Sequence, residues 1–291
     1  MTTKIEKKPI NGKAIYAPKG AAMEYGRIGC NFYTGCPHEC EYCYLKRGAP
    51  SKQLGGTEVR LKKCFKNELD AERQFVKELT KWYDQCKQYG IFLSFTTDPM
   101  IDETRKLTMR VIDDAIITDV PVYILTKNAN FIYDNYFMAL MSYITHPYRA
   151  LIHFGFTLTG RDDMEPKASK NHDRIMAMRR MSLMGFPTFA SIEPVIDWES
   201  AERIIGESLP WCDHYKLGLR SGVKKDYYDV VLSSVAIQRI VQTIESFKKT
   251  IYLKESTRKL LQQFLQPNAY ESLLSHTVDM DGKPIVNTRN K

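Results

Sequence analysis

The segment Asn31-Phe32-Tyr33-Thr34-Gly35-Cys36-Pro37-His38-Glu39-Cys40-Glu41-Tyr42-Cys43-Tyr44 constrains the chain more than any other. Its three thiols, spaced Cys-x3-Cys-x2-Cys, sit on one short loop that can curl around a metal centre. Three thiolates can fill three corners of a cubane iron–sulfur cluster, leaving the fourth iron without a protein ligand and open to a small chelating molecule. Zinc is the competing occupant, with Cys30 or His38 as a fourth ligand. Zinc sites usually pair two ligand clusters across a knuckle, however, and no second Cys/His pair follows downstream. The chain has seven cysteines, four of them within the stretch from Cys30 to Cys43. An odd, crowded set is a poor disulfide framework and points to metal binding in a reducing setting. Cys64, Cys86 and Cys212 read as ordinary thiols, Cys86 on the apolar face of a helix.

The rest of the chain specifies what carries this loop. Short apolar runs alternate with amphipathic stretches. Strands are expected at Ile28–Phe32, Ile91–Phe95, Val122–Leu125, Leu151–Phe156, Thr188–Ile192, His214–Leu217 and Ile251–Leu253. Between them fall helical patterns such as Phe75, Leu79, Trp82 and Cys86, then Leu107, Val111 and Ala115, then Ile237, Ile240, Val241 and Ile244. Strands joined by helices of this length pair in parallel. The pattern predicts an α/β fold, a partial or full parallel β/α (TIM-like) barrel. Residues 1–27 read as a lead-in segment, 28–265 as the barrel and 266–291 as a polar tail that packs loosely or caps it. No stretch approaches the ~18 consecutive apolar residues of a membrane span, and Met1–Lys13 lacks the apolar core of a signal peptide. A cytoplasmic location without membrane attachment is the resulting expectation. Lys and Arg number 42 against 34 Asp and Glu, a net charge of +8 that suits a polyanionic partner.

The loop resembles the radical S-adenosylmethionine motif Cys-x3-Cys-x-aromatic-Cys, with Tyr42 at the aromatic position. The string from Asn31 to Tyr44 is similar to the signature of the spore photoproduct lyase-like group, the DNA repair photolyase family. The likeness continues through Thr97-Asp98-Pro99, Thr126-Lys127, Phe156-Thr157-Leu158-Thr159, Glu165-Pro166, Asp173-Arg174-Ile175 and Gly185-Phe186-Pro187, covering roughly residues 28 to 197. It implies a barrel of the radical S-adenosylmethionine type, with a 4Fe-4S cluster on Cys36, Cys40 and Cys43. It also implies that Asp98 meets the methionine ammonium with Thr97 beside it, that Lys127 meets the methionine carboxylate, and that Thr157 faces the ribose or carboxylate. Glu193, at the end of the fifth strand, faces the same pocket or pairs with a neighbouring Lys or Arg. One position departs from the family. Spore photoproduct lyase carries a hydrogen-donating cysteine where this chain has Phe95, so the photoproduct-cleaving reaction itself is not implied.

The activity expected is reductive cleavage of S-adenosylmethionine to a 5′-deoxyadenosyl radical that takes hydrogen from a substrate, the electron coming from a flavodoxin or ferredoxin. Lys46, Arg47, Lys127, Arg161, Arg220, Lys224, Lys225 and Lys254, with Tyr44, Tyr227 and Tyr228, all fall on predicted strand-end loops and suit a nucleic acid or nucleotide substrate. A peptide or small metabolite as radical substrate, and a non-catalytic zinc- and nucleic-acid-binding protein, are the alternatives. No residue is assigned to substrate chemistry from the sequence.

Overall fold

A computed structural model describes residues 9–47, 51–52, 54–224 and 226–285. Its strands are β1 (Ile15–Tyr16), β2 (Gly29–Cys30), β3 (Tyr33–Thr34), β4 (Arg60–Leu61), β5 (Ile91–Leu93), β6 (Val122–Thr126), β7 (Ile152–Thr157), β8 (Thr188–Val195), β9 (His214–Leu219) and β10 (Thr250–Leu253). The helices that alternate with them are α1 (Glu68–Lys81), α2 (Tyr83–Tyr89), α3 (Asp102–Ile117), α4 (Asn135–Tyr143), α5 (Asn171–Leu183), α6 (Trp198–Ser208), α7 (Val230–Ser246), α8 (Glu255–Leu261) and α9 (Pro267–Ser275). One sheet runs in the order β1-β2-β5-β6-β7-β8-β9-β10, and β3 and β4 form a separate pair. Within that sheet the pairings from β2 through to β10 are parallel and the edge strand β1 is antiparallel, as is the separate β3–β4 pair. The sheet is an open arc with β1 and β10 at its edges, a partial β/α barrel.

The strands from β5 to β10 form close to where the sequence places them because they are largely buried, which leaves near-continuous apolar runs, whereas β1, β3 and β4 have no counterpart in the expected set. Val122, Ile124, Ile152, Phe154, Ala190, Ile192, Leu217 and Ile251 all belong to a single core. The helices present their apolar stripes to it: Phe75 and Leu79 on α1, Leu107, Val111 and Ala115 on α3, and Ile237, Ile240 and Val241 on α7 are buried. Side chains cap four of the helices. Asn67, Asp134, Asp197 and Asp229 each accept the backbone N–H three residues on. The helical pattern through Trp82 divides there into α1 and α2. Gly90 ends α2 at φ +69°, and a Cβ there would meet the Tyr123 ring at 2.5 Å.

Residues 9–27, which show no periodicity, bury Ala14 and Ile15 in the core and are otherwise held by polar contacts. The buried Glu78 carboxylate on α1 accepts the backbone N–H groups of Lys13 (2.7 Å), Ala14 (3.0 Å) and Ile15 (2.7 Å), fixing β1 at the sheet edge. Removing one carboxylate leaves three donors unsatisfied. Glu78→Ala is therefore expected to cost about 3 kcal/mol, read by urea unfolding, with earlier proteolysis of residues 10–27. Glu78→Gln should recover only part, since its amide nitrogen cannot accept. Beyond β1, a short 3-10 turn (Gly20–Glu24) leads into Tyr25. Lys216 on β9 donates to the carbonyls of Glu24 (3.1 Å) and Tyr25 (2.9 Å), and Glu24 accepts from Tyr252 and the Glu255 N–H. The segment thereby bridges the two ends of the arc.

The polar stretch after Gln266 begins with α9, which buries Leu273. Val278 then donates to the Ile251 carbonyl at the start of β10, and Asp281 pairs with Arg27 just before β2. It crosses the N-terminal ends of the strands and leaves the C-terminal ends open.

Candidate functional site

At those C-terminal ends lies a cavity of about 390 Å³. Cys36, Cys40, Tyr42, Cys43, Thr97, Asp98, Lys127, Thr157 and Glu193 all line it. These nine residues come from the cysteine loop and from the ends of four strands, β5, β6, β7 and β8, as expected of a β/α barrel site.

The cysteine loop is built tightly. Gly35 adopts φ +84°, and a Cβ there would lie 2.1 Å from the Glu58 carbonyl, so the backbone can approach only as glycine. The Cys36 N–H donates to Gly56 O at 2.9 Å, and the Cys43 N–H to Cys40 O at 3.2 Å. Cys40 and Tyr42 pack with Met164 and Ile196, and Cys43 lies against them. Across the loop that follows β7, the Glu41 N–H donates to Met164 O, and the Lys167 N–H to His38 O. Burial pushes the Cys36 thiol up to about 12, with Asp98 adding to the rise. Burial also raises Cys40, against the pull of Lys127. Thiols held this way ionise on binding a metal rather than in its absence.

Tyr42 extends the loop into a fully buried ion pair. Its hydroxyl donates to Glu165, which pairs with Arg174 at 2.7 Å, both side chains without solvent exposure. Arg174 also donates to Ser169 O (2.7 Å) and Thr157 O (2.8 Å), and Thr159 donates to Glu165 at 3.1 Å. One network thus ties the cysteine loop, the end of β7 and α5 together. Glu165 and Arg174 enter the sequence reading only as matched motif positions; the structure gives them this work.

Asp98 is similarly committed. Its carboxylate accepts from the Lys127 N–H (2.7 Å), the Met100 N–H (2.9 Å) and the Thr126 hydroxyl (2.7 Å), and it contacts His38 Nε2 at 2.8 Å. Burial acts to raise its pKa, but the His38, Lys127 and Thr126 contacts outweigh it and hold the carboxyl down at about 2. An ammonium contact from a ligand would have to share these oxygens. Thr97 beside it has a buried hydroxyl with no hydrogen-bond partner among the described residues. Lys127 extends beside Tyr42, its ammonium 5.5 Å from the ring centroid. Burial works against its charge, yet Cys40 and Glu165 leave its pKa raised.

On the other side of the arc, Glu193 accepts from Lys254 (2.6 Å) and from the Tyr25 hydroxyl, which also contacts Ser191 at 2.8 Å. Glu193 therefore both faces the cavity and pairs with a lysine. Tyr25, Tyr44, Phe92 and Phe95 give the cavity an aromatic wall, with Phe92 and Phe95 stacked at 4.8 Å. Tyr25 is absent from the sequence reading because it follows a stretch with no pattern and no motif.

The expected basic mouth is only partly assembled. Lys46, Lys127, Arg220 and Lys254 line the cavity, and Arg47 reaches the Ser221 carbonyl at 3.0 Å. Arg161 is instead paired with Asp163 and Asp197, Lys224 is exposed, and Lys225 lies outside the described residues. Tyr227 and Tyr228 donate to the carbonyls of Ile196 and Val195.

The donor set fits an iron–sulfur cluster better than zinc. His38, one candidate fourth zinc ligand, has its ring nitrogens on Asp98 and the Lys167 carbonyl (3.3 Å). Cys30, the other, lies in the main core. Among the described residues no group of three or more His, Cys, Asp or Glu converges on a single-ion position. A cubane makes no such demand, because its thiolates bind separate irons.

No protein-family model matches the chain. An uncharacterised protein of Methanocaldococcus jannaschii is 26% identical over 273 residues, 86% of this chain and 96% of its own. Spore photoproduct lyase complexed with dinucleoside spore photoproduct superposes with a TM-score of 0.62 at 14% identity, covering 85% of this chain and 79% of that one. A doubly substituted variant of that lyase, with bound AdoMet and the same photoproduct, gives 0.57 at 15% identity over 78% of this chain and 76% of that one. The fold is that of spore photoproduct lyase. Streptococcus suis SuiB bound to S-adenosylmethionine shares it more distantly, with a TM-score of 0.53 at 12% identity over 84% of this chain and 55% of SuiB. The lyase-like barrel accounts for the placement of the cavity at the C-terminal strand ends, where such folds gather their loops. Among the described residues, no helix is long and apolar enough to cross a membrane.

Proposed function

We propose that this chain is a radical S-adenosylmethionine enzyme, with Cys36, Cys40 and Cys43 holding a 4Fe-4S cluster and S-adenosylmethionine occupying the adjoining cavity. The observation that supports this most is the gathering of the three loop thiols with Thr97, Lys127, Thr157 and Glu193 around one cavity. When bound, the two cofactors supply one-electron cleavage of the sulfonium and a 5′-deoxyadenosyl radical that takes hydrogen from substrate. The protein's part is binding, orientation and exclusion of water.

In this reading Lys127 neutralises the methionine carboxylate, Thr97 supplies its unpartnered hydroxyl, and Thr157 faces the ribose. Tyr42 anchors the cysteine loop through Glu165. Asp98 acts chiefly through what it fixes, His38 on the loop and the backbone of Lys127. Glu193 and Lys254 bound the opposite part of the cavity. The aromatic wall keeps water from the reacting centre. A flavodoxin- or ferredoxin-type protein supplies the electron.

For the substrate, a nucleotide or nucleic acid is favoured by cavity cations placed beside aromatic rings. The dinucleoside photoproduct bound by the lyase neighbour is consistent with that class. Phe95 lines the cavity and carries no transferable hydrogen of the thiol kind, so any hydrogen returned to a product radical comes from another group.

The deciding experiment is anaerobic reconstitution with iron and sulfide, then reduction by dithionite with S-adenosylmethionine. A brown protein releasing 5′-deoxyadenosine is expected; a colourless protein holding one zinc and making none would overturn the proposal. Lys127→Ala is expected to keep its iron but bind S-adenosylmethionine about tenfold or more weakly, the value of one charge-assisted hydrogen bond. Equilibrium dialysis reads this, and unchanged affinity removes Lys127 from the role.

A further inference from the structure

We infer that Arg220 is the phosphate anchor of this cavity, the residue that fixes a phosphodiester or phosphomonoester group of the substrate. The inference rests on the nucleotide reading above and assigns it a residue. Arg220 follows β9 and lines the cavity. Its backbone N–H donates to the Tyr228 hydroxyl at 2.8 Å, and that hydroxyl is itself held by Val195 O, so the root of the side chain is fixed. Its guanidinium lies 5.9 Å from the Tyr227 ring centroid.

Arg220 differs from Lys254 and Arg161 in having no carboxylate partner among the described residues. Lys254 is paired with Glu193, and Arg161 with Asp163 and Asp197. Arg220 Nε is buried and has no hydrogen-bond partner among the described residues. A buried donor of this kind has hydrogen-bonding capacity to give to an acceptor entering the cavity. Arg47 reaches the same loop, donating to Ser221 O at 3.0 Å, and so brings a second guanidinium close by. A planar fork beside a second cation matches a phosphate group, which takes two parallel N–H donors. Tyr44, 51% exposed, and Phe95 line the same cavity and offer ring faces on which a base attached to that phosphate can stack. Carboxylates would also suit the fork, but they bring no base for those rings, and the chain's charge of +8 favours a polyanion.

The test uses the cluster-loaded full chain with a 5′-fluorescein deoxythymidine decamer, followed by anisotropy across a salt series. Arg220→Gln is expected to weaken binding about tenfold and to flatten the log–log salt slope by ~0.7, the value of one phosphate contact on a single strand. Arg220→Lys keeps the charge without the fork and should fall between the two. Lys259→Gln, an exposed cation paired with Glu255, should bind as the parent does. Competition separates the possible sources. 5′-Thymidylate displacing the label as well as unlabelled decamer points to a free nucleotide, and decamer alone doing so points to a polymer; either supports the anchor. Three results overturn it: no decamer binding by the parent, equal binding by Arg220→Gln, or lost S-adenosylmethionine affinity with decamer binding intact. Melting temperature and iron content of Arg220→Gln should match the parent. Release of 5′-deoxyadenosine without decamer is read separately, so failure of the radical assignment and failure of the anchor give different patterns.

Discussion

Replacing Cys40 by alanine is expected to give a folded, colourless protein that releases no 5′-deoxyadenosine. Cys40 is 5% exposed and packs with Tyr42, Met164 and Ile196 in a small cluster separate from the main core. Trading its sulfur for hydrogen removes about 1 kcal/mol of burial, well within what a domain of this size tolerates. The proposed cluster suffers far more. It loses one of three protein ligands, and the remaining two thiols cannot hold a cubane. Iron and sulfide content, visible absorbance and 5′-deoxyadenosine should all fall to background, while the melting temperature moves by only a few degrees. Cys64→Ala provides the matched control, since Cys64 is exposed and away from the cavity lining. A brown, active Cys40→Ala protein would remove the loop from the chemistry.

The cysteine loop was legible because metal-ligand spacing is a local property. The barrel strands were legible for a related reason: Thr188–Ile192 is buried on both faces and Val122–Leu125 on one, with the other partly buried, and an apolar run between helical stripes has few other uses. What escaped is what depends on partners far away in the chain. Glu78 holds β1 from more than sixty residues off, and nothing near Ile15 advertises it. Tyr25 reaches Glu193 across 168 positions. His38 had the look of a metal ligand, yet its ring meets Asp98, 60 residues on. A polar side chain's local pattern states that it needs a partner but not which one. The basic mouth illustrates the same limit, since Arg161 stands at a strand end yet spends its charge on Asp163 and Asp197. Loop position predicts nearness to a site, and only the contacts decide availability.

The buried pair behind the cysteine loop carries the largest expected effect on stability. Arg174→Met should lower the folding free energy by about 3–5 kcal/mol, because it strands the Glu165 carboxylate in a site without solvent exposure. That is a large share of the ~5–15 kcal/mol typical of a whole domain. Two further acceptors lose donors with the guanidinium, the carbonyls of Ser169 and Thr157. Methionine fills similar volume, so the loss reports charge and hydrogen bonding rather than a cavity. The double variant Glu165→Met/Arg174→Met removes the stranded charge and should recover part of the deficit. It cannot recover all, since the Tyr42 and Thr159 hydroxyls then lose their acceptor. Urea unfolding of the parent, both single variants and the double closes the cycle and gives the coupling energy directly. A second readout follows from Tyr42. Once its hydroxyl is released the cysteine loop is less firmly held, so the double variant should load iron but lose it to chelators faster than the parent. An Arg174→Met protein within 1 kcal/mol of the parent in that cycle would show that Glu165 and Arg174 merely fill space, and the loop's anchorage would then have to come from its backbone bonds to Met164 and Lys167.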